Sequence, residues 1–375
     1  MIFRTYQPGD EEGLARVFRY AFAENGMNLH RDAEIWNWIY VKNPSFDPEL
    51  IMLAEENGEI IAKICTTIET IIFGGEQYRV ALIHELGTLP WHQGRGIMKK
   101  LFQQALNTYM ARDVDLILLH SDPNAYPVAF PFYLRRGFKP IFLRDNLITL
   151  SALNSLLLYS NKYLPFLGKF LDIYRRRKWT NTSKNNSYFL RDITNTRWEE
   201  IFREKCNHYY RTHNHYIPLT PARWHWLQHT RPTSSRSAGV VGIFSTNSPT
   251  SKDDLVAGAR LAARFMHHIK RPNNSLFILP GAVWDLFTIF IKEDRHILKK
   301  LLLKAILLLA AKFKVNMITG VFPHNSPETI LCKKLGFHQV QRGYCLVKPY
   351  QKDVNFTKIT QYPWYIPLDP TKGEP

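Results

Sequence analysis

The chain has 375 residues, 45% of them hydrophobic and 13% aromatic, enough to build substantial cores and to exclude wholesale disorder. Its length suggests two or three domains, and 49 Lys and Arg against 32 Asp and Glu give a net charge of +17. The charge is divided unevenly: residues 1–150 carry 15 basic against 18 acidic side chains, net −3, and residues 151–375 carry 34 against 14, net +20. That asymmetry predicts two modules, the second either facing an anionic surface or polymer or simply presenting a soluble basic exterior.

The opening IFRTY alternates like a strand, and Pro8-Gly9-Asp10 turns into a helix whose Leu14, Val17, Phe18 and Phe22 recur at helical spacing. A second helix carries Trp36 and Trp38 and ends before Pro44. Three strand-like runs follow at 50–54, 60–67 and 78–89, punctuated by Asn57-Gly58 and Gly74-Gly75 turns. Then come a helix at 97–111, a buried strand at 114–120, a helix at 126–135, and strands from Phe138 onward. The order predicts an α+β fold around a mixed sheet. Asp10, Glu11 and Glu12 precede any apolar run, so no secretory signal is expected, and no stretch reaches the roughly twenty apolar residues of a membrane span. Cys65, Cys206, Cys332 and Cys345 are widely scattered and read as core thiols in a reducing compartment, so the expected location is cytoplasmic.

Residues 151–190 break the pattern. An apolar stretch with sparse lysines leads into Arg175-Arg176-Arg177-Lys178 and a polar run, which places a domain boundary here. It reads as a linker helix with a solvated basic end in preference to an interfacial amphipathic segment, because Pro165 interrupts it. Beyond it the second half repeats the first. Trp36, Trp38 and Pro44 recur as Trp224, Trp226 and Pro232; QGRGIMKKL at 93–101 aligns with EDRHILKKL at 293–301. VDLILLHSDPN at 114–124 parallels VNMITGVFPHN at 315–325, and RRGF ending at Phe138 parallels KLGF ending at Phe337. Four matches in the same order predict duplication of one fold.

The strongest local signal is HELGTLPWHQGRGIMKKLF, a strand that enters a glycine turn and then a helix. Gly94 and Gly96 let the backbone approach a ligand, the first-turn amides of the helix favour an anion, and Arg95 adds positive charge. Downstream, SDPNAYPVAFPFYLRRGF places Asn124 after a buried strand and Tyr133 late in the next helix. Together these segments resemble the GNAT acyltransferase superfamily across residues 1–150. Gln93 and Gly96 match its acyl-CoA loop, while Met98 stands where relatives carry a small residue.

The resemblance implies two tandem GNAT-like domains, each a mixed, mostly antiparallel sheet flanked by helices: a catalytic domain at 1–150 and a degenerate one at 191–375. It implies that acetyl-CoA serves as cosubstrate for transfer to a primary amine. Leu86, Gly87 and Thr88 would hold the thioester end, Gln93, Gly94, Arg95, Gly96, Ile97 and Met98 the pyrophosphate, and Asn124 the pantetheine arm. Tyr133 matches the family's usual acid. For the base, Glu85 comes first, His84 second and His120 third; alternation puts Glu85 and His84 on opposite faces, so at most one should face the cleft. In the second half Asp294 and His296 replace the two glycines and Cys332 replaces Tyr133, which predicts a non-catalytic copy. The paired tryptophans read as packing or as an acceptor wall. No metal is expected: His225 and His229 have HxxxH spacing, but Trp226 stands where a zinc hydrolase carries its Glu. Two other functions compete: an aminoacyl or peptidyl transferase fed by charged tRNA, and a non-enzymatic module that docks an anionic surface.

Overall fold

A computed structural model describes residues 1–23, 27–29, 32–124, 126–150, 188–232, 238–263, 266–269, 282–291, 298, 301–302, 305–306, 315–334 and 337–351. Of the linker expected at 151–190, residues 151–187 lie outside the described residues, and a strand, Phe189–Asp192, begins within its last two positions; Asp294 and His296 also lie outside.

The first half runs β1 (Ile2–Thr5), α1 (Glu11–Ala23), β2 (Met27–Leu29), α2 (Ala33–Ile39), β3 (Ile51–Glu56), β4 (Glu59–Phe73), β5 (Glu76–Thr88), α3 (Ile97–Met110), β6 (Leu116–Ser121), α4 (Ala129–Leu134) and β7 (Lys139–Leu150). Both hairpin turns adopt the left-handed backbone that their residues tolerate: φ is 53° and 77° at Asn57-Gly58, and 58° and 81° at Gly74-Gly75. β4 extends past the expected 60–67 because the β-prone residues 68–73 go on pairing with β5 down to Phe73 and Glu76. After Phe138 there is one long strand, β7, where several were expected.

The second half runs β8 (Phe189–Asp192), α5 (Arg197–Tyr210), α6 (Pro221–His229), β9 (Ala238–Phe244), β10 (Leu255–Ala263), β11 (Met266–Ile269), β12 (Ala282–Ile291), β13 (Val315–Pro323), α7 (Pro327–Lys334) and β14 (His338–Pro349). The fold is the expected α+β arrangement with mixed pairing. The two halves, however, do not own separate sheets. Twelve strands form one sheet in the order β1-β3-β4-β5-β6-β14-β7-β13-β12-β10-β9-β8, while β2 and β11 pair apart from it. Replacing each strand of one half by its successor in the other leaves that order unchanged when read from the opposite end.

The centre of the sheet explains the fusion. β14, the last strand of the second half, lies antiparallel between β6 and β7, and β7 in turn lies against β13. Each half thus lends its final strand to cover an edge of the other. Unpaired edges invite association with other chains, and the exchange removes them from the middle of the sheet.

Apolar residues of α1 and α3 pack on opposite faces of the first-half strands, Lys63 of β4 lying over Phe18 of α1 and Thr66 Oγ1 meeting Tyr109 OH of α3: Leu14, Val17 and Phe18 on one side, and Ile97, Leu101, Phe102, Ala105 and Tyr109 on the other, are all buried. The recurring tryptophans prove to be packing. Trp226 Nε1 donates to Trp38 O at 2.8 Å, and Trp38 Nε1 reaches Thr230 Oγ1 at 3.2 Å, with the rings 5.6 Å apart. Both indoles are fully desolvated and still hydrogen-bonded, which large aromatics at an interface require. A buried ion pair, Arg223 to Glu69 at 2.9 Å, also joins the halves, with Ser45 Oγ on the other carboxylate oxygen at 3.0 Å. Arg203 donates to Leu219 O, and Arg260 to Gln228 Oε1 and Leu227 O. Part of the second half's positive charge is therefore inside the fold, not on a docking surface. All four cysteines are buried and in no disulfide. Among the described residues, no helix is long and apolar enough to cross a membrane.

Candidate functional site

The site begins where β5 leaves β6. Their parallel pairing runs from Val80 with Leu116 to Ile83 with Leu119 and ends there. On its other side β5 pairs Ile83 with Thr66 and Glu85 with Cys65, so His84 is an extra residue, a β-bulge. A bulge bends its strand and raises the local twist. Here it turns residues 86–88 away from β6 and leaves their backbone facing a gap.

The chain then passes through Leu89 and Pro90 to the glycine turn. Gly94 and Gly96 have φ of 77° and 74°, and a Cβ on either would project into open space. Gly96 caps α3 in the left-handed conformation, as an L side chain rarely does. The first α3 bond of this turn is Lys100 N to Gly96 O at 3.3 Å, so the amides of Ile97, Met98 and Lys99 precede the helical ladder.

These elements enclose a cleft of about 390 Å³. Leu86, Gly87 and Thr88 form one wall; Gln93, Gly94, Arg95, Gly96, Ile97 and Met98 form the end. Those nine residues, chosen from sequence, converge. Arg95 is not a loose cation: both its terminal nitrogens reach the Glu56 carboxylate at 2.8 Å, and one also meets His92 Nδ1 at 2.7 Å. That pairing holds the Glu56 carboxyl below the usual range, with the Arg95 hydrogen bonds as the main cause. Gln93 reaches back to Thr88 O at 3.4 Å and ties the turn to the strand.

Lining residues that the sequence reading missed include Ala21 and Phe22 of α1, Lys99 of α3, and Tyr126 and Phe132 around α4. The available signal was the apolar stripe of α1, which continues past Phe18 to Ala21 and Phe22 although both are only partly buried. Gly87 is small because α1 crosses here: a Cβ would stand 2.9 Å from that of Ala21.

The other expected residues lie outside the cleft lining. Asn124 is exposed on the turn after β6, its amide donating to Asp122 Oδ1 at 2.7 Å. Tyr133 follows Phe132 but is rotated into the core, its ring 5.8 Å from Phe138. Burial raises its phenol well above the ordinary value. Glu85 accepts from Lys63, and both side chains are buried beneath α1, where Lys63 also lies over the Phe18 ring. His84 is half-buried, with Nε2 2.7 Å from Thr67 Oγ1 and its ring near Tyr40. The bulge gives the two neighbours separate partners, and neither lines the cleft.

Comparison with known proteins agrees with this geometry. Residues 3–141 match the family model described as acetyltransferase (GNAT) domain. That match covers nearly all of the first half. Within it, 140 residues are 29% identical to a mycothiol acetyltransferase of Streptomyces bingchenggensis, covering 36% of this chain and 42% of the relative. The chain thus matches under half the length of that curated relative. Two solved structures share the fold along nearly the whole chain. One is a GCN5-related N-acetyltransferase from Anabaena variabilis, at TM-score 0.57 and 12% identity over 93% of this chain and 73% of that one. The other is Saccharomyces cerevisiae N-myristoyltransferase with bound myristoyl-CoA, at 0.65 and 12% over 94% and 79%.

Proposed function

We propose that the cleft binds acyl-CoA, with acetyl-CoA as the first donor to test, and that residues 1–150 transfer its acyl group to a primary amine. The carrying observation is the convergence of the parted β5 backbone, the open glycine turn and the first amides of α3 on one cavity. The residues fit such a ligand. Backbone groups of Leu86, Gly87 and Thr88 can pair with an extended amide chain, as a missing strand would. Gly94 and Gly96 leave room for phosphate oxygens to reach backbone N–H groups, and Lys99 adds charge beside the α3 amides. The Arg95–Glu56 pair positions the turn. Ala21, Phe22, Tyr126 and Phe132 supply apolar walls that exclude water.

The bound thioester supplies an activated acyl carbon and a thiolate leaving group. The chain must supply a base for the amine and an acid for the sulfur. We assign the base to His84 ahead of Glu85, whose carboxylate is already spent on Lys63. Tyr133 is the proposed acid, since a buried phenol keeps its proton at working pH. We also propose that residues 191–375 are a second, non-catalytic GNAT-like copy, a reading supported by the symmetric strand order.

Calorimetry with acetyl-CoA is the direct test: saturable binding supports the proposal, and none at millimolar ligand sinks it. Tyr133→Phe is expected to lower turnover on the order of 100-fold or more with little change in acetyl-CoA affinity. Unchanged turnover removes Tyr133 from the acid role. An acceptor screen scored by thiol release identifies the amine.

A further inference from the structure

On the sheet face away from α3, three metal-ligand side chains meet outside the cleft. His120, His215 and Cys345 each bring a donor atom, and these atoms all lie within 4.8 Å of one another. They come from three parts of the chain. His120 follows Leu119, the last residue of β6 to pair with β5, and Cys345 on β14 is its direct cross-strand partner. Opposite residues on neighbouring strands share a face, which puts thiol and imidazole side by side.

His215 arrives from the loop after α5. Its backbone is held in the left-handed region, φ 64°, uncommon for a residue with a side chain. Several bonds to the end of the β4–β5 hairpin hold it there. His215 N donates to Ile72 O at 2.8 Å, Ile72 N to Tyr216 O at 3.3 Å, and Gly74 N to Asn214 Oδ1 at 2.6 Å. Phe73 stacks on the imidazole, and the His120 ring lies 5.2 Å away. The surroundings are apolar: Cys345 belongs to a buried cluster with Ile71, Phe73, Leu116, Leu118, Ile217 and Val347.

We propose that His120, His215 and Cys345 form a binding site for a thiophilic d-block cation, with Zn²⁺ the first candidate and Cu⁺ the second. Two neutral imidazoles and one thiolate suit these ions, and the apolar shell disfavours hard cations that keep their water. On binding, the Cys345 S–H bond breaks, sulfur keeps the electron pair and bonds the metal, and the proton leaves to solvent. Three protein donors leave a fourth position for water. The site joins both halves, because β6 contributes one donor and the second half contributes two. Motif spacing could not reveal it, since the donors meet only through the exchanged strand and the α5 loop, and this proposal replaces the expectation that no metal binds.

The test uses the full chain, stripped with chelator and titrated with Zn²⁺ against a chromophoric competitor, with a parallel Cu⁺ titration against a Cu⁺ chelator. One ion per chain, release of one proton per ion, and a thiolate-to-metal absorption band with Co²⁺ as probe are expected. Cys345→Ser should remove the band and weaken binding on the order of 100-fold, while Cys206→Ser should keep both. Preference for Cu⁺ over Zn²⁺ supports the site and fixes its ion. Should Cys345→Ser fail to fold, X-ray absorption on the wild-type protein decides, with sulfur at about 2.3 Å and nitrogen at about 2.0 Å expected around zinc. No stoichiometric binding of either ion, a band that survives Cys345→Ser, or a first shell without sulfur overturns the proposal.

Discussion

The two halves repeat one device and finish it differently. In the first, β5 bulges at His84 after its last pairing with β6, and Gly87, without a side chain, lets α1 cross close over the strand at the wall of the cleft. In the second, β12 pairs Leu286 with Leu261 and Thr288 with Arg260, so Phe287 is the extra residue, and parallel pairing with β13 ends at Asp285. The bulge and the parting strands are kept. The residue three past the bulge, Gly87 in one strand, is Phe290 in the other, buried with its ring 5.4 Å from Phe202 of α5. Where the first half leaves a cleft beneath its helix, the second fills the space with two aromatic rings. The difference teaches that backbone topology alone does not make this site. The strand must part, and the side chains next to the gap must also stay small.

That contrast can be broken from either side. Phe290→Ala should cost about 3–5 kcal/mol of stability through the cavity it leaves, with acetyl-CoA affinity unchanged. Thermal melts and calorimetry on the same sample check both parts, and a loss of affinity would mean that the second half shapes the cleft. Arg223→Met tests whether the halves are merely adjacent. It strands buried Glu69 and should cost about 3 kcal/mol, partly restored by Glu69→Gln in the same chain. Two separate unfolding transitions in the single variant would show that the halves had been only docked. Gly96→Val places a branched side chain at φ 74° in the phosphate approach and should weaken acetyl-CoA binding on the order of 100-fold, about 2.7 kcal/mol, with a further loss of stability of about 1–3 kcal/mol from the strained backbone.

The smallest effect is a pH dependence in the second half. Burial lowers the His213 pKa to about 4 from an ordinary 6.5. Between these values the unfolded chain binds a proton that the folded chain refuses. Stability contributed here is complete above pH 6.5, falls as pH drops toward 4, and is flat below. The site is only half-buried, so the loss is on the order of 1 kcal/mol after allowing for solvent screening. Denaturant midpoints at pH 7 and pH 4.5, compared with His213→Gln, measure it. An equal drop in the variant assigns the dependence elsewhere.

Local chemistry was legible in the sequence; cross-chain pairing was not. Asn57-Gly58 and Gly74-Gly75 announced their hairpins because few residues other than Gly and Asn accept that backbone, and Gly94-Arg95-Gly96 announced the turn for the same reason. The residues of β5 and the turn that line the cleft were legible because one continuous segment carries them. Lys63 lies far from Glu85 in sequence, so nothing showed that the favoured base would be ion-paired. Alternation placed Glu85 and His84 on opposite faces, but a bulge sits at that point and pairing alone reveals it. Tyr126 and Phe132 looked like ordinary core aromatics because the cleft that they line is itself apolar. The tryptophans and the GF corners suggested the proposed repeat, but nothing in the sequence marked the strand exchange, since β6 pairs with residues 344–349.

That last pairing bears on how the protein is made. During synthesis β1 through β7 leave the ribosome first, with the long edge of β6 still uncovered. β14 follows nearly two hundred residues later, and only then can β6 gain its second neighbour. The first-half domain is therefore born incomplete, and its open edge can recruit a strand from a neighbouring nascent chain. Translation rate and chaperone access, as much as the thermodynamics of the finished sheet, then set the yield of correctly paired chain.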